Sequence, residues 1–161
     1  MTAKQYAPRG YFYEDFTVGD VLRTGRRTVT ETDIVNFACL SGDFNDVHCN
    51  HEYARQTIFG EPIAHGPLVF AIAAGLNYAS GMNDGTLVAM LGIDKWRMLE
   101  AVKAGDTIQV ESTVLFKRRS ASQPGTGVVR FARRFLNQHG RAAQEMEITI
   151  LYKCKNKEGS D

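Results

Sequence analysis

The run from Leu68 to Leu76 contains no polar side chain. A helix that is apolar on every side belongs in a protein core, because none of its faces can rest in water. Gly66 and Pro67 precede the run, and proline in the first turn favours a helix start because its missing N–H would have no helical partner there. From Pro67 onward the helix would span roughly 20 Å, which is too short for a bilayer. The sequence therefore predicts a long, buried central helix.

The segments around this helix have the pattern of strands and short helices. The stretch 21–30 is rich in β-branched residues, and Thr30-Glu31-Thr32-Asp33 resembles a capping box that opens a helix ending at Ser41-Gly42. A short helix is predicted from about Asn50 to Thr57. After the central helix, β-branched alternation between turn residues predicts four strands, at Thr86–Leu99, Thr107–Lys117, Gly127–Asn137 and Arg141–Tyr152.

This order of elements predicts an α+β fold. One strand, then helices, then four strands joined by short turns give an antiparallel sheet of about five strands wrapped around the central helix. One helix covers only one face of such a sheet, and the sheet also has open edges. We therefore expect a homodimer or a dimer-based higher oligomer.

Size and charge narrow the class of protein. A chain of 161 residues is most simply one domain, 1–161, with 1–10 and 154–161 expected to be flexible tails. The net charge of +1 gives no overall field to attract nucleic acid or an anionic membrane. Three cysteines without paired spacing are typical of reduced thiols, and the N-terminus lacks the apolar core of a signal peptide. These features predict a cytoplasmic protein without a nucleic-acid or membrane partner.

The loop from Asp43 to His48 is the strongest candidate for chemistry. A carboxylate and an imidazole in one short loop can share a water molecule and transfer protons near neutral pH. Asn45, between them, could fix the loop by hydrogen bonds to the backbone. A solvated turn that ends in a helix-capping histidine explains the same spacing equally well. The backbone N–H of Gly66, at the start of the buried helix, could stabilise an oxygen that gains negative charge.

Two kinds of metal site fit the loop poorly. A calcium loop counted from Asp43 needs glycine at its sixth position and glutamate at its twelfth, where this chain has His48 and Ala54. His48 and His51 could bind one metal from adjacent turns, but no cysteine pair or nearby carboxylate completes the set. We therefore expect no metal. His65 is either a second polar group at the pocket or a histidine that orders the turn before the helix.

Three stretches together resemble the hydratase motif of the MaoC-like (R)-specific enoyl-CoA hydratases and dehydratases, which have the hotdog fold. These stretches are 40–48, Tyr53-Ala54 and 62–66, and the segments 92–98 and 102–108 extend the similarity to nearly the whole chain after Tyr11. The resemblance implies a helical overhang that carries the site, with Asp43 and His48 as the catalytic pair and Gly66 as the oxyanion donor. It implies reversible hydration of a trans-2-enoyl-CoA to an (R)-3-hydroxyacyl-CoA, with coenzyme A as part of the substrate and no separate cofactor.

Some positions depart from the family pattern or have open roles. Asp46 stands where the family usually has proline, and Ala74 where some members have serine. Lys117 and Arg118 are candidates to bind the phosphates of coenzyme A, although a solvated strand edge has the same composition. Trp96 could line the acyl tunnel, or it could pack in the core or at a dimer interface. Because fold does not determine function, a thioesterase and a non-catalytic acyl-CoA-binding module remain alternatives.

Overall fold

The computed structural model describes residues 9–155. It contains five strands, four helices and one 3-10 turn. The strands are β1 (Val21–Thr28), β2 (Leu87–Met98), β3 (Thr107–Arg119), β4 (Thr126–Leu136) and β5 (Ala142–Lys153), the helices are α1 (Glu31–Ser41), α2 (Asp46–Cys49), α3 (His51–Ala54) and α4 (Gly66–Ala79), and the 3-10 turn is Tyr13–Asp15.

The five strands form one antiparallel sheet in the order β1-β3-β4-β5-β2. Alternation along β3 directs Ile108, Val110 and Val114 toward α4 and the core, where all three are buried. The predicted α+β class is therefore confirmed, as are all five predicted strands. β1 ends two residues earlier than expected because Thr30 leaves the sheet to cap α1.

Helix α4 packs on the sheet with one face only. Leu68, Val69 and Ile72 are buried against the core, whereas Ala71 and Ala74 on the opposite face are exposed. The expectation that α4 is buried on every side is thus wrong for a single chain. The exposed face carries small apolar residues over most of its length and Tyr78 near its end, so it is an apolar surface that another surface can cover.

Three short helices form an overhang ahead of α4. The predicted capping box of α1 is present, because Thr30 Oγ1 accepts the N–H of Asp33 and the Asp33 carboxylate accepts the N–H of Thr30. Gly42 ends α1 with a φ of +77°, a left-handed conformation that glycine adopts without steric cost. The predicted helix 50–57 is instead the single turn α3, because Asn50 ends α2 and caps α3 through its side chain.

Parts of the predicted tails are fixed to the body of the domain. Gly10 is buried and donates its N–H to Asp84 O at 2.9 Å, and Cys154 is buried and donates its N–H to Gly125 O at 2.9 Å. The tail prediction is wrong for these two residues. Arg9 and Lys155 are also described and form ion pairs with Asp84 and Asp15, whereas 1–8 and 156–161 lie outside the described residues. Within 9–155, no helix is long and apolar enough to cross a membrane.

We predict that Thr30→Ala lowers the free energy of unfolding by about 1 kcal/mol, because the substitution removes the cap of α1. The matched control is Thr32→Ala, an exposed threonine of the same helix that takes no part in the capping box. Urea unfolding followed by circular dichroism measures both variants. Equal midpoints for the two variants would contradict the assigned cap.

Candidate active site

The Asp43 side chain orders the first half of the loop between α1 and α2. Its Oδ1 accepts the backbone N–H of Asn45 at 3.3 Å, which forms a turn closed by a side chain. Asn45 then occupies the N-cap position of α2 without a side-chain capping bond. The loop is therefore held through Asp43 rather than through the Asn45 side chain that the sequence suggested. Asp46, the second acid, is exposed and accepts a hydrogen bond from Asn50 at 3.1 Å.

His48 is oriented by the chain segment that leads into α4. Its Nδ1 lies 2.7 Å from the carbonyl oxygen of Ile63, and the Ile63 N–H donates to Val47 O at 3.1 Å. Because a carbonyl oxygen can only accept, Nδ1 of His48 must carry the proton. The neutral ring then has its free lone pair at Nε2, which is the protonation state that a general base requires.

His65 is buried behind His48, with only 2% of its surface exposed. Its Nε2 lies 2.9 Å from the backbone oxygen of Asp43 and donates to it, and its ring stacks on the His48 ring with 3.7 Å between centroids. The Phe37 ring packs on the His65 ring, with 5.0 Å between their centroids. Of the two roles left open by the sequence, this placement favours ordering of the turn, because His65 holds both members of the predicted pair against the start of α4.

The side chains of Asp43, His48 and His65 converge beside the start of α4. One carboxylate oxygen of Asp43 and one ring nitrogen each of His48 and His65 lie within 4.8 Å of one another. These are groups that bind transition metals, but the two stacked rings are only 28° from parallel, so their nitrogen lone pairs do not point at one centre. His51, the other histidine considered from the sequence, lies 2.8 Å from Glu31 instead. The absence of a metal remains a prediction.

A cavity of about 310 Å³ adjoins His48, and both His48 and Gly66 line it, whereas Asp43 is exposed and is not among the lining residues. Glu100 and Gln144 are its other polar lining residues, and the remaining lining residues are apolar: Phe59, Ile63, Ala64, Val69, Met98, Leu99, Ala101 and Val102. Gly66 is the first residue of α4, so its amide lies at the positive end of the helix dipole. A Cβ at this position would lie 2.6 Å from Cε of Met98, so a side chain at position 66 would displace Met98.

Gln144 is a site residue that the sequence analysis missed. It is 2% exposed, its Nε2 donates to Gly66 O at 3.0 Å, and its Oε1 accepts the indole N–H of Trp96 at 2.9 Å. Trp96 therefore contacts the start of α4 indirectly, through Gln144. Its ring packs on Phe70 with 5.4 Å between the ring centroids. The sequence did contain a signal for this residue. Gln144 lies on the same strand face as Met146 and Ile148, and it is the polar residue that interrupts this apolar face.

Lys117 and Arg118 lie far from the pair within one chain. The Lys117 ammonium donates to the backbone oxygens of Tyr13 and Phe16, at 3.1 Å and 2.6 Å. The site adjoins the opposite end of β3, at Thr107, and ten residues of strand span on the order of 30 Å. The structure does not bring these two cations to the pair, and their role in substrate binding remains a prediction.

Comparison with known proteins assigns the family. A family model described as MaoC like domain matches residues 15–132, so the chain belongs to the MaoC-like domain family. Protein MaoC of Klebsiella aerogenes is 46% identical over 102 residues, which are 63% of this chain and 30% of that protein. An (R)-specific enoyl-CoA hydratase of Rhodospirillum rubrum is 30% identical over 104 residues, which are 65% of this chain and 69% of that protein.

The fold is also shared with solved structures. A protein of Mycobacterium tuberculosis described as a double hotdog fold superposes with a TM-score of 0.81, over 94% of this chain and 47% of that chain. At 15% identity, this similarity concerns the fold alone. The chain therefore has the predicted hotdog fold, and it spans only 30% of the length of the Klebsiella protein that it matches.

We predict that the neutral His48 ring carries its proton on Nδ1. The carbonyl oxygen of Ile63 faces Nδ1 and can only accept a hydrogen bond, so the proton must come from the ring. Two-bond nitrogen–proton correlation spectra of the protein labelled with ¹⁵N-histidine measure the tautomer directly. His139, which is exposed, serves as the reference histidine. A proton on Nε2 of neutral His48 would contradict the assignment.

Proposed function

We propose that the protein reversibly hydrates a trans-2-enoyl-CoA to an (R)-3-hydroxyacyl-CoA. The observation that carries the proposal is that the Asp43 carboxylate lies close to His48, while His48 and the amide end of α4 line one cavity. Membership of the MaoC-like family and similarity to an (R)-specific enoyl-CoA hydratase support the same reaction. Coenzyme A enters as part of the substrate, and the proposed chemistry requires no other cofactor.

The proposed reaction starts from a water molecule held between Asp43 and His48. Nε2 of His48 accepts a proton from this water as its oxygen bonds to Cβ of the substrate, and the Asp43 carboxylate accepts the second hydrogen of the water as a hydrogen bond. The electrons of the double bond move toward the thioester, whose oxygen gains negative charge. His48 then returns its proton to Cα, so one water is added and both residues regain their starting states.

Gly66 would stabilise the enolate that forms between these two steps. Its N–H belongs to the first turn of a fourteen-residue helix, so the donor and the helix dipole act on the same oxygen. Such a preorganised donor contributes roughly 10²- to 10³-fold to the rates of enzymes that stabilise an oxyanion. Gln144 and Trp96 act as positioning residues in this scheme, since they fix the carbonyl of Gly66.

We expect Asp43→Asn and His48→Ala each to lower kcat for hydration of crotonyl-CoA by about 10²- to 10⁴-fold, the range for a lost general acid or base. Loss of the enoyl-thioester absorbance measures the rate. The matched controls are Asp46→Asn, an exposed acid of the same loop region, and His139→Ala, an exposed histidine. Both controls should retain wild-type kcat.

Assays of free thiol release and of acyl-CoA binding separate the alternatives. Release of free coenzyme A thiol without formation of a hydroxyacyl product would identify a thioesterase, and acyl-CoA binding without turnover would identify a binding module. Cys49, next to His48, is a poor candidate for the nucleophile of a thioesterase. Burial raises the pKa of its thiol, and the charges of Cys39 and Asp43 act in the same direction, so the thiol stays protonated.

We also propose that the protein is a homodimer. Two apolar surfaces support this state: the outward face of α4 and the edge strand β2, on which Val88 and Leu91 are 37% and 53% exposed. A second copy that adds its own β2 to this edge would pair the free backbone groups and bury both side chains.

Light scattering coupled to size exclusion tests the assembly. We expect the wild-type protein to have twice the mass of one chain and Leu91→Lys to shift it toward the monomer, because a charge at the paired edge would be buried. Leu115→Lys, an exposed position on the inner strand β3, is the control and should leave the mass unchanged. A monomeric mass for the wild-type protein would contradict the proposed homodimer.

A further inference from the structure

The edge strand β2 contains a residue with an unusual backbone conformation. Within 9–155, Lys95 is the residue other than glycine that has a positive φ, at +53°. In this left-handed region the Cβ of any residue except glycine meets steric strain. Strained backbone persists only where the surrounding contacts impose it, and it is common near functional sites. The contacts around Lys95 must therefore hold it in this conformation.

Lys95 lies in a β-bulge between β2 and β5. The pairs on either side, Asp94 with Glu147 and Arg97 with Glu145, leave two residues of β2 opposite one residue of β5. Lys95 forms an ion pair with Glu147, and Arg97 forms one with Glu145. These two contacts fix the bulge to the neighbouring strand on both sides of the extra residue.

The bulge decides which way Trp96 points. Side chains three residues apart point to opposite faces of a regular strand, but Ile93 and Trp96 both pack against the buried core. The extra residue of the bulge explains this arrangement, because a shift of one residue moves the following side chains to the other face. Without the bulge, Trp96 would lie on the outer face of the sheet.

On the inner face, Trp96 contacts the start of α4 through one buried amide. Its indole N–H donates to Gln144 Oε1 at 2.9 Å, and Gln144 Nε2 donates to Gly66 O at 3.0 Å. Gln144 is 2% exposed, so either of its polar atoms would be costly to leave unpaired. A Trp96 side chain on the outer face would leave the buried amide oxygen without this donor.

These contacts determine the orientation of Gly66. The peptide group before it is held by the first helical hydrogen bond, from Val69 N–H to His65 O at 3.2 Å, and the peptide group after it is held by Gln144. Glycine has the widest backbone freedom of any residue, so the angle between the two peptide groups depends on these contacts rather than on the residue itself. The direction of the Gly66 N–H therefore depends on Gln144.

We propose, on the basis of the hydratase function proposed above, that Lys95 is a positioning residue of the site. Its bulge turns Trp96 toward Gln144, and Gln144 fixes the direction of the Gly66 N–H that binds the thioester oxygen. The Lys95 side chain is exposed and does not line the cavity, so it acts through the backbone conformation alone. Misplacement of a reacting group by about 1 Å lowers a rate by about a hundredfold, so the effect of the bulge is measurable.

Substitutions of Lys95 test the role of the bulge. Lys95→Val should lower kcat for hydration of crotonyl-CoA by at least about tenfold and change KM by no more than about twofold, because a β-branched residue resists the left-handed conformation. Lys95→Gly, which adopts it freely, and Lys95→Ala, which removes only the ion pair, should retain wild-type kcat. Asp94→Val, at an exposed position of the same strand, is the control and should also retain it. Equal kcat for Lys95→Val and Lys95→Gly would overturn the proposal.

A double-mutant cycle tests whether Lys95 acts through Gln144. Gln144→Met, which keeps the size of the side chain and removes both hydrogen bonds, should lower kcat by at least about tenfold. Adding Lys95→Val to it should lower kcat by no more than about a further twofold, because both changes break one series of contacts. Losses that multiply would show that the two residues act independently and would overturn the proposal. If Lys95→Val does not fold, Trp96→Phe, which keeps the ring packing and removes the N–H donor, replaces it in the cycle.

The Gly66 amide resonance separates this inference from the proposed reaction. In nitrogen–proton correlation spectra of ¹⁵N-glycine-labelled protein without ligand, this resonance should shift in Lys95→Val and keep its wild-type position in Lys95→Ala. If the shift occurs but no enoyl-CoA is hydrated, the hydratase proposal fails and the control of Gly66 by the bulge stands. If hydration occurs and the resonance is the same in both variants, the role of Lys95 fails and the hydratase proposal stands.

Discussion

The site depends on three hydrogen bonds that join the helical overhang to the start of α4. The N–H of Ile63 donates to Val47, the carbonyl of Ile63 accepts from His48, and His65 donates to the backbone of Asp43. Two of the three use an imidazole ring, so the same contacts that fix the chain also orient its most reactive side chains. Without them Asp43 and His48 would lie on a short polar loop with no reason to face the helix.

The sheet supports this junction from the other side. The buried amide of Gln144 joins the carbonyl of Gly66 to the indole of Trp96, and the Met98 side chain rests against the same glycine. A fully satisfied polar contact in a low-dielectric interior is rigid, because either group would be costly to leave unpaired. The first turn of α4 is thus held between the overhang and the strands β2 and β5.

Much of the fold could be read from local patterns. The apolar run after Pro67, the capping box at Thr30 and the β-branched alternation in the second half each depend on neighbours a few residues away, and the corresponding elements are present. Asp43, His48 and Gly66 could be singled out because their chemistry and spacing are visible in the sequence. Gln144 was missed because a polar residue on an apolar strand face indicates a buried polar contact but does not identify its partner, which lies elsewhere in the chain.

The sequence by itself determined the α+β class, the order of the elements and the residue types available for proton transfer, since these follow from periodicity and side-chain chemistry. Only the tertiary structure decided that Nδ1 of His48 faces the carbonyl oxygen of Ile63, that His65 lies behind the pair and that Lys117 lies at the far end of the sheet. Those facts depend on contacts between residues far apart in the chain, such as His65 with Asp43 and Lys117 with Phe16. The exposed face of α4 shows the same limit, because hydrophobicity predicts that a surface will be covered but not which surface covers it.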